Sequence, residues 1–302
     1  MKLIFFGTGA FALPALRALA KSVALVVTQP DRPTGRGMKL SPAPAKLVAQ
    51  ELGIPVESPE KSRAPEFVAR LRELDADALV VASYGQILST AVLESARRGG
   101  INLHGSILPE YRGAAPIQRC LLDDRSETGI TLMQMDKGMD TGDMIHVVRT
   151  PIGPDETYGE LQDRLALIAA EMAVEWMPRI VAGDYPRMPQ DGEGATLAPK
   201  VEKAEAELLF SRDAKAEYAR FRAFTPAPGA FLRTAGGTLR VHQARFEEAQ
   251  GESGTLLAVV PEPVVAFASG ALRLLEVQPE GKRRMPARDW ANGARLKVGN
   301  TL

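Results

Sequence analysis

The chain holds a single cysteine, Cys120, so no disulfide can close within it, and the unpaired thiol points to a reducing compartment, the cytoplasm. Charge of either sign is not in excess: 37 acidic and 37 basic side chains cancel, so a nucleic-acid surface has to be local rather than global. No apolar run approaches the ~18 residues that would span a bilayer. The opening MKLIFFGTGAF has one lysine and too few apolar residues before Gly7 for a secretory segment, and it reads as a buried first strand. Histidine is scarce, with only His104, His146 and His242. The last two sit inside alternating strands and are expected to be structural. No His, Cys and carboxylate cluster has ligand spacing, so no metal is implied. The nucleophile elbow G-x-S-x-G is also missing, and Ser106 lacks its strand-to-helix glycine setting.

What is present is ample core material: 45% of the 302 residues are hydrophobic, enough for two domains. In the first half, short Val/Ile/Leu runs (2–6, 23–28, 78–85, 101–105) alternate with helical stretches (13–22, 43–53, 64–77). That pattern predicts an α/β fold, a Rossmann-like, mostly parallel sheet covered on both faces. Residues 128–135 and 142–152 read as a longer strand pair, and 158–183 as a closing helix. The α/β domain is expected over 1–185. Periodicity is lost over 186–205, which reads as a linker of Pro, Gly and charge. Residues 206–302 contain one helix, 214–224, and short alternating runs between Gly and Pro turns, the pattern of a smaller OB-like β-barrel domain. Cys120 falls in a helix whose first turn is set by Pro116.

Gly7, Gly9 and Ala12 match the dinucleotide fingerprint G-x-G-x-x-G/A, which would make a nicotinamide-dependent oxidoreductase one alternative. The acidic residue that should grip a ribose near position 29 is absent there. Asp31 opens instead a loop carrying Arg32, Arg36 and Lys39. A tight turn at the end of the first strand is the simpler reading.

The strand INLH offers more chemistry. Its pleat puts Ile101 and Leu103 on one face and Asn102 and His104 on the other, at the strand end where doubly wound sheets bind ligands. An imidazole can take or give a proton near neutral pH. An amide NH₂ can donate to an oxygen that gains charge as a carbonyl turns tetrahedral. The missing carboxylate is offered by MDKGMDTGD, where Asp136, Asp140 and Asp143 sit in a glycine-bracketed loop. Two basic stretches stand out against the neutral whole: residues 31–46 carry a net +3 and residues 281–302 a net +5. They suit phosphates, and a non-catalytic RNA-binding protein would share them.

NLHGSILPEYRGAAPIQ and ETGITLMQMDKGMDTGD together resemble the signature of the 10-formyltetrahydrofolate-dependent formyltransferases, and the resemblance runs nearly end to end. It implies that Asn102, His104 and Asp140 are catalytic, and that Ser106, Ile107, Leu108 and Pro109 line the site of the folate donor, with the backbone of 83–88 clasping its pterin. Asn102 and a protonated His104 would donate to the oxyanion, with Asp140 favouring the imidazolium. Within the family, the acceptor could be a glycinamide ribonucleotide or a sugar-nucleotide amine. The second domain argues against the first and the basic loop favours RNA over the other; the acceptor the resemblance implies is methionyl initiator tRNA. The expected tRNA contacts are Arg32, Arg36, Lys39, Lys282, Arg283 and Arg284, in a monomer that needs no metal and no membrane. Three departures from the family pattern are Ile107 for leucine, TPAP at 225–228 where a tryptophan often separates the prolines, and Gly9-Ala10 in the first turn.

Overall fold

Apolar runs without polar interruption become the central strands of a sheet buried on both faces. In the computed structural model, which describes residues 1–34 and 39–302, the chain divides into two units. The first comprises Met1–Pro116, Glu127–Thr150 and Gln162–Pro199; the second comprises Ile117–Ser126, Pro151–Leu161 and Lys200–Leu302. Arg36 lies outside the described residues.

Unit 1 contains β1 (Leu3–Gly7), α1 (Leu13–Leu19), β2 (Val23–Val27), β3 (Arg32–Thr34), β4 (Lys39–Ser41), α2 (Pro44–Glu51), β5 (Val56–Glu57), α3 (Pro65–Glu73), β6 (Ala78–Ala82), α4 (Thr90–Leu93) and β7 (Gly100–His104). Proline in the first turn starts α1, α2 and α3, where its missing N–H is not needed and its fixed φ suits the helix. After α5 (Pro116–Leu122), most of which belongs to unit 2, the sheet continues with β8 (Glu127–Gln134) and β9 (Met144–Pro151), and α6 (Tyr158–Ala182) follows.

The sheet order is β5-β2-β1-β6-β7-β8-β9. β5, β2, β1, β6 and β7 run parallel, and β8 returns antiparallel to β7. The chain moves outward from β1 to β2 and β5, then crosses back to β6 on the other side of β1. That reversal opens a crevice at the carboxyl ends of β1 and β6, the position where such sheets bind ligands.

The stretch expected to be a linker is bonded into unit 1 as far as Pro199. Met188 pairs antiparallel with Met144 and Leu197 pairs parallel with Arg112. Isolated bridges of this kind carry no periodicity, which is why composition alone reads as a loop. His146 stacks on Trp176 at 4.8 Å, with the Arg179 guanidinium 4.3 Å from the indole ring.

Unit 2 holds α7 (Ala214–Ala223), β10 (Phe231–Thr234), β11 (Gly237–Glu247), β12 (Leu256–Ala258), β13 (Val264–Ala266), β14 (Ala271–Pro279), β15 (Met285–Pro286) and α8 (Ala287–Gly293). The strands make an antiparallel sheet in the order β10-β11-β14-β13-β12, with β15 on β14. Its core includes Phe221, Phe224, Phe267 and Leu274. The Thr225–Pro228 departure is built into this unit: Gln118 donates to the carbonyls of Ala223 and Ala227 at 3.2 and 3.1 Å. His242 lies 3.1 Å from Gln278 Oε1, and Cys120 is buried.

The two fingerprint glycines have different surroundings. A Cβ on Gly7 would stand 2.7 Å from the Phe5 ring and 2.8 Å from the Ala12 methyl; on Gly9 its nearest neighbour would be Ser83 Oγ at 3.7 Å. Gly7 is therefore a packing requirement. Gly7→Ala is expected to lower stability by about 1–3 kcal/mol, as overpacking does. Gly9→Ala should stay within about 0.5 kcal/mol. Denaturant unfolding of the two variants checks the contrast.

Candidate active site

Strand β7 carries the site. Ile101 and Leu103 enter the core, and Asn102 and His104 alternate to the opposite face. After β8, residues 135–143 fold back so that Asp140 meets both. Asn102 Nδ2 donates to Asp140 Oδ1 at 3.3 Å, and the Gly113 N–H donates to Oδ2 at 2.9 Å. His104 Nδ1 stands 3.7 Å from the same Oδ2, too long for a hydrogen bond but close enough for charge to be felt. The His104 side chain is 5% exposed and that of Asp140 15%.

The other imidazole nitrogen, Nε2, lies 3.0 Å from the Tyr111 carbonyl oxygen. A carbonyl can only accept, so Nε2 carries a proton and the neutral ring keeps its lone pair on Nδ1. Asn102, partly exposed, spends one amide hydrogen on Asp140 and keeps the second. The three side chains expected from sequence are thus brought together.

Their neighbours Asp136 and Asp143 are committed elsewhere. Asp136 accepts from the Gly138 N–H and from the Thr141 hydroxyl, and Asp143 pairs with Arg187 at 2.9 Å. Close approach explains the glycine next to Thr141: a Cβ on Gly142 would stand 1.9 Å from the Gln134 carbonyl oxygen. Asp140 itself has φ of 54°, a region in which aspartate is one of the tolerated side chains.

Several groups that sequence reasoning did not single out hold this geometry. Gln190 Nε2 donates to the carbonyls of Asp140 and Gly142 at 2.9 and 2.7 Å, while its Oε1 accepts from Arg112 at 3.0 and 2.7 Å. Thr196 accepts from the Tyr111 N–H at 2.8 Å. Thr131, buried on β8, accepts from the Leu108 N–H and donates to the Ser106 carbonyl. Of these, Arg112 falls in the run YRGAAPIQ and Thr131 in ETGITLMQMDKGMDTGD; Gln190 and Thr196 fall in the stretch expected to be a linker, where no pattern marks them.

The four residues expected to line a donor site divide in two. Ser106 and Leu108 are buried, with the Ser106 hydroxyl donating to the Glu110 carbonyl at 2.7 Å, so side-chain contact is left to the half-buried Ile107 and Pro109. Beyond the end of β6, Tyr84 and Leu88 are buried and Ile87 is 86% exposed. Burial pushes the Tyr84 phenol up to about 12, so it stays protonated. Among the expected phosphate contacts, Arg32, Lys282 and Arg283 are exposed and Arg284 pairs with Glu276. Lys39 lies in β4.

The fold and this constellation define a one-carbon group transferase: residues 1–181 match the family model described as Formyl transferase and residues 200–295 that described as Formyl transferase, C-terminal domain, and the chain belongs to this family. Among its relatives is a protein of Symbiobacterium thermophilum named methionyl-tRNA formyltransferase, 47% identical over 99% of this chain and 94% of its own length. A second of that name, from Geobacter metallireducens, is 45% identical over 100% of this chain and 98% of its own. Solved structures share the fold. An N-formyltransferase of Helicobacter canadensis, in complex with folinic acid and dTDP-3-aminofucose, superposes with a TM-score of 0.67 at 16% identity over 91% of this chain and 98% of its own.

Gln190→Ala removes the brace on the Asp140 loop. Amide exchange across residues 136–143 is expected to accelerate about 5- to 150-fold, since one lost buried hydrogen bond is worth about 1–3 kcal/mol and tenfold is ~1.4. Unchanged protection of that loop in hydrogen–deuterium exchange would rule out the brace.

Proposed function

We infer that the chain transfers a formyl group from N10 of 10-formyltetrahydrofolate to the α-amine of methionyl initiator tRNA, as a cytoplasmic monomer. The observation that carries the reading is the convergence of Asn102, His104 and Asp140 at the end of β7. The name carried by relatives over almost the whole chain supports the acceptor. The residues present fit the donor. Exposed Ile87 and half-buried Ile107 and Pro109 give a flat heteroaromatic ring apolar contact, and the burial of Tyr84 and Leu88 leaves the backbone of 83–88 to its polar edge.

The donor supplies a formyl carbon open to attack by an amine. Charge then grows on the formyl oxygen, and the second hydrogen of Asn102 Nδ2 meets it. Nε2 of His104 is committed to the Tyr111 carbonyl, so a hydrogen bond from the protonated ring to the oxyanion would come from Nδ1. Its free nitrogen is Nδ1, which takes the proton shed by the attacking amine and faces the Asp140 carboxylate from 3.7 Å. The same nitrogen returns that proton to the departing N10. Net, the amine loses a proton, N10 gains one, and the formyl group changes nitrogen.

The acceptor's phosphates fall to basic side chains of two stretches. Arg32, Arg36 and Lys39 belong to the first basic stretch, and Lys282 and Arg283 to the second. The antiparallel sheet of unit 2 acts as an OB-like platform that meets RNA through backbone contacts, since the chain is only 6% aromatic. Incubation with 10-formyltetrahydrofolate and methionyl initiator tRNA should yield N-formylmethionyl-tRNA, and no product would refute the reading.

Two quantitative expectations follow from the geometry. Asn102→Ala should lower kcat about 100- to 1,000-fold, the usual cost of an oxyanion donor, with tRNA affinity nearly unchanged. Lys282→Ala and Arg283→Ala should each flatten the log Kd against log salt slope by about one. Arg284→Ala should change it less, because Glu276 already holds that charge.

A further inference from the structure

We propose that Gln29 positions the acceptor: its side-chain amide donates a hydrogen bond to an oxygen of the aminoacyl ester and so sets the α-amine against the formyl carbon. The inference rests on the formyl-transfer reading above and adds to it a residue outside the catalytic trio. Gln29 lies two residues past the end of β2, is 8% exposed, and its Nε2 is a buried donor without a partner among the described residues. Every other polar group of the residue near the crevice is engaged. Its N–H donates to Thr8 Oγ1 at 3.2 Å, that hydroxyl donates to the Tyr84 carbonyl at 2.8 Å, and Gln29 Oε1 accepts from Arg32 Nη2 at 3.3 Å.

The direction of the side chain gives the unpaired donor its meaning. β2 and β6 lie on opposite sides of β1, yet Gln29 Nε2 is only 3.9 Å from the point where a Cβ on Gly85 would sit, beyond the end of β6. The amide therefore reaches over the end of β1, across the crevice formed where the strand order reverses. A buried amide N–H without a partner costs about 1–3 kcal/mol. A short apolar side chain at the same place would avoid that cost, so a ligand oxygen is the missing partner.

The neighbour on the other side of the amide says which ligand. Arg32 heads the basic stretch assigned to the acceptor's phosphates, and its guanidinium is what orients Gln29 Oε1. When a phosphate draws Arg32 away, the amide is released to turn its N–H toward the ester carbonyl or the neighbouring ribose hydroxyl. Binding of the RNA end and placement of the aminoacyl group are coupled through that one long hydrogen bond.

The test uses Gln29→Met and Gln29→Glu in the full-length chain, with steady-state kinetics in each substrate and thermal unfolding. Methionine keeps the volume and removes the donor. Glutamate keeps the contact with Arg32 and also removes the donor. Both variants should raise KM for methionyl initiator tRNA about tenfold, leave KM for 10-formyltetrahydrofolate within twofold, and in the case of Gln29→Met melt no lower than wild type. An unchanged tRNA KM in an active, folded Gln29→Met overturns the proposal. A rise in the folate KM in place of the tRNA KM also overturns it, by assigning the amide to the donor. A wild-type chain that formylates nothing removes both this inference and the reading beneath it.

Discussion

The Asp140 carboxylate is bound by the Asn102 amide from one stretch of chain and the Gly113 N–H from another, and it faces the His104 ring from 3.7 Å. A carboxylate that is 15% exposed has lost most of its water, and each of its oxygens needs a donor in exchange. Those donors sit at the end of β7 and in the loop that follows it. The two stretches therefore cannot move independently: displacing either one strips a hydrogen bond from a charge already drawn out of solvent.

That dependence spreads outward mainly through backbone. Gly113 can donate only if residues 111–113 hold their turn, in which Tyr111 takes φ of 61° and Gly113 129°. A non-glycine residue there costs on the order of 1–3 kcal/mol, and the surrounding structure has to offset it. Segment 188–198 does so, through Thr196 on the Tyr111 N–H and Ala198 on the Arg112 carbonyl at 2.7 Å. A Cβ on Gly113 would meet the Ala198 carbonyl oxygen at 2.7 Å, so the two strands of chain lie as close as atoms allow. The turn that presents the Tyr111 carbonyl to His104 is the same turn, which makes the imidazole tautomer a consequence of this packing.

The sequence made most strands and helices of unit 1 legible because they are apolar runs or carry a helical period, but not β3 and β4, short polar strands in the stretch expected to be a loop, and it made Asn102 and His104 legible because a pleat of period two puts them on one face. Asp140 was reachable from its glycine bracket. Gln190 and Thr196 were not, because their role rests on single bridges between distant stretches, and a single bridge leaves no repeat to detect. The tautomer of His104 was equally hidden: it depends on where one main-chain carbonyl points. Nothing in the order of residues separates Ser106 and Leu108, which turn inward, from Ile107 and Pro109, which do not; pairing to Thr131 decides it.

Charge follows the same logic of pairs. In the first basic stretch Lys46 is neutralised by Asp31 at 2.8 Å, while Arg32 rests on an uncharged amide and keeps its full charge. In the second, Arg284 pairs with Glu276, which it holds below the usual carboxylate range, and Arg288 lies 3.7 Å from Asp289. Lys282, Arg283, Arg295 and Lys297 have no acidic partner among the described residues. A cation already matched by a carboxylate gains little from a phosphate, because exchanging one anion for another releases few counterions. The two basic stretches therefore divide into a paired set, spent inside the protein, and an unpaired set whose charge is available to a polyanion.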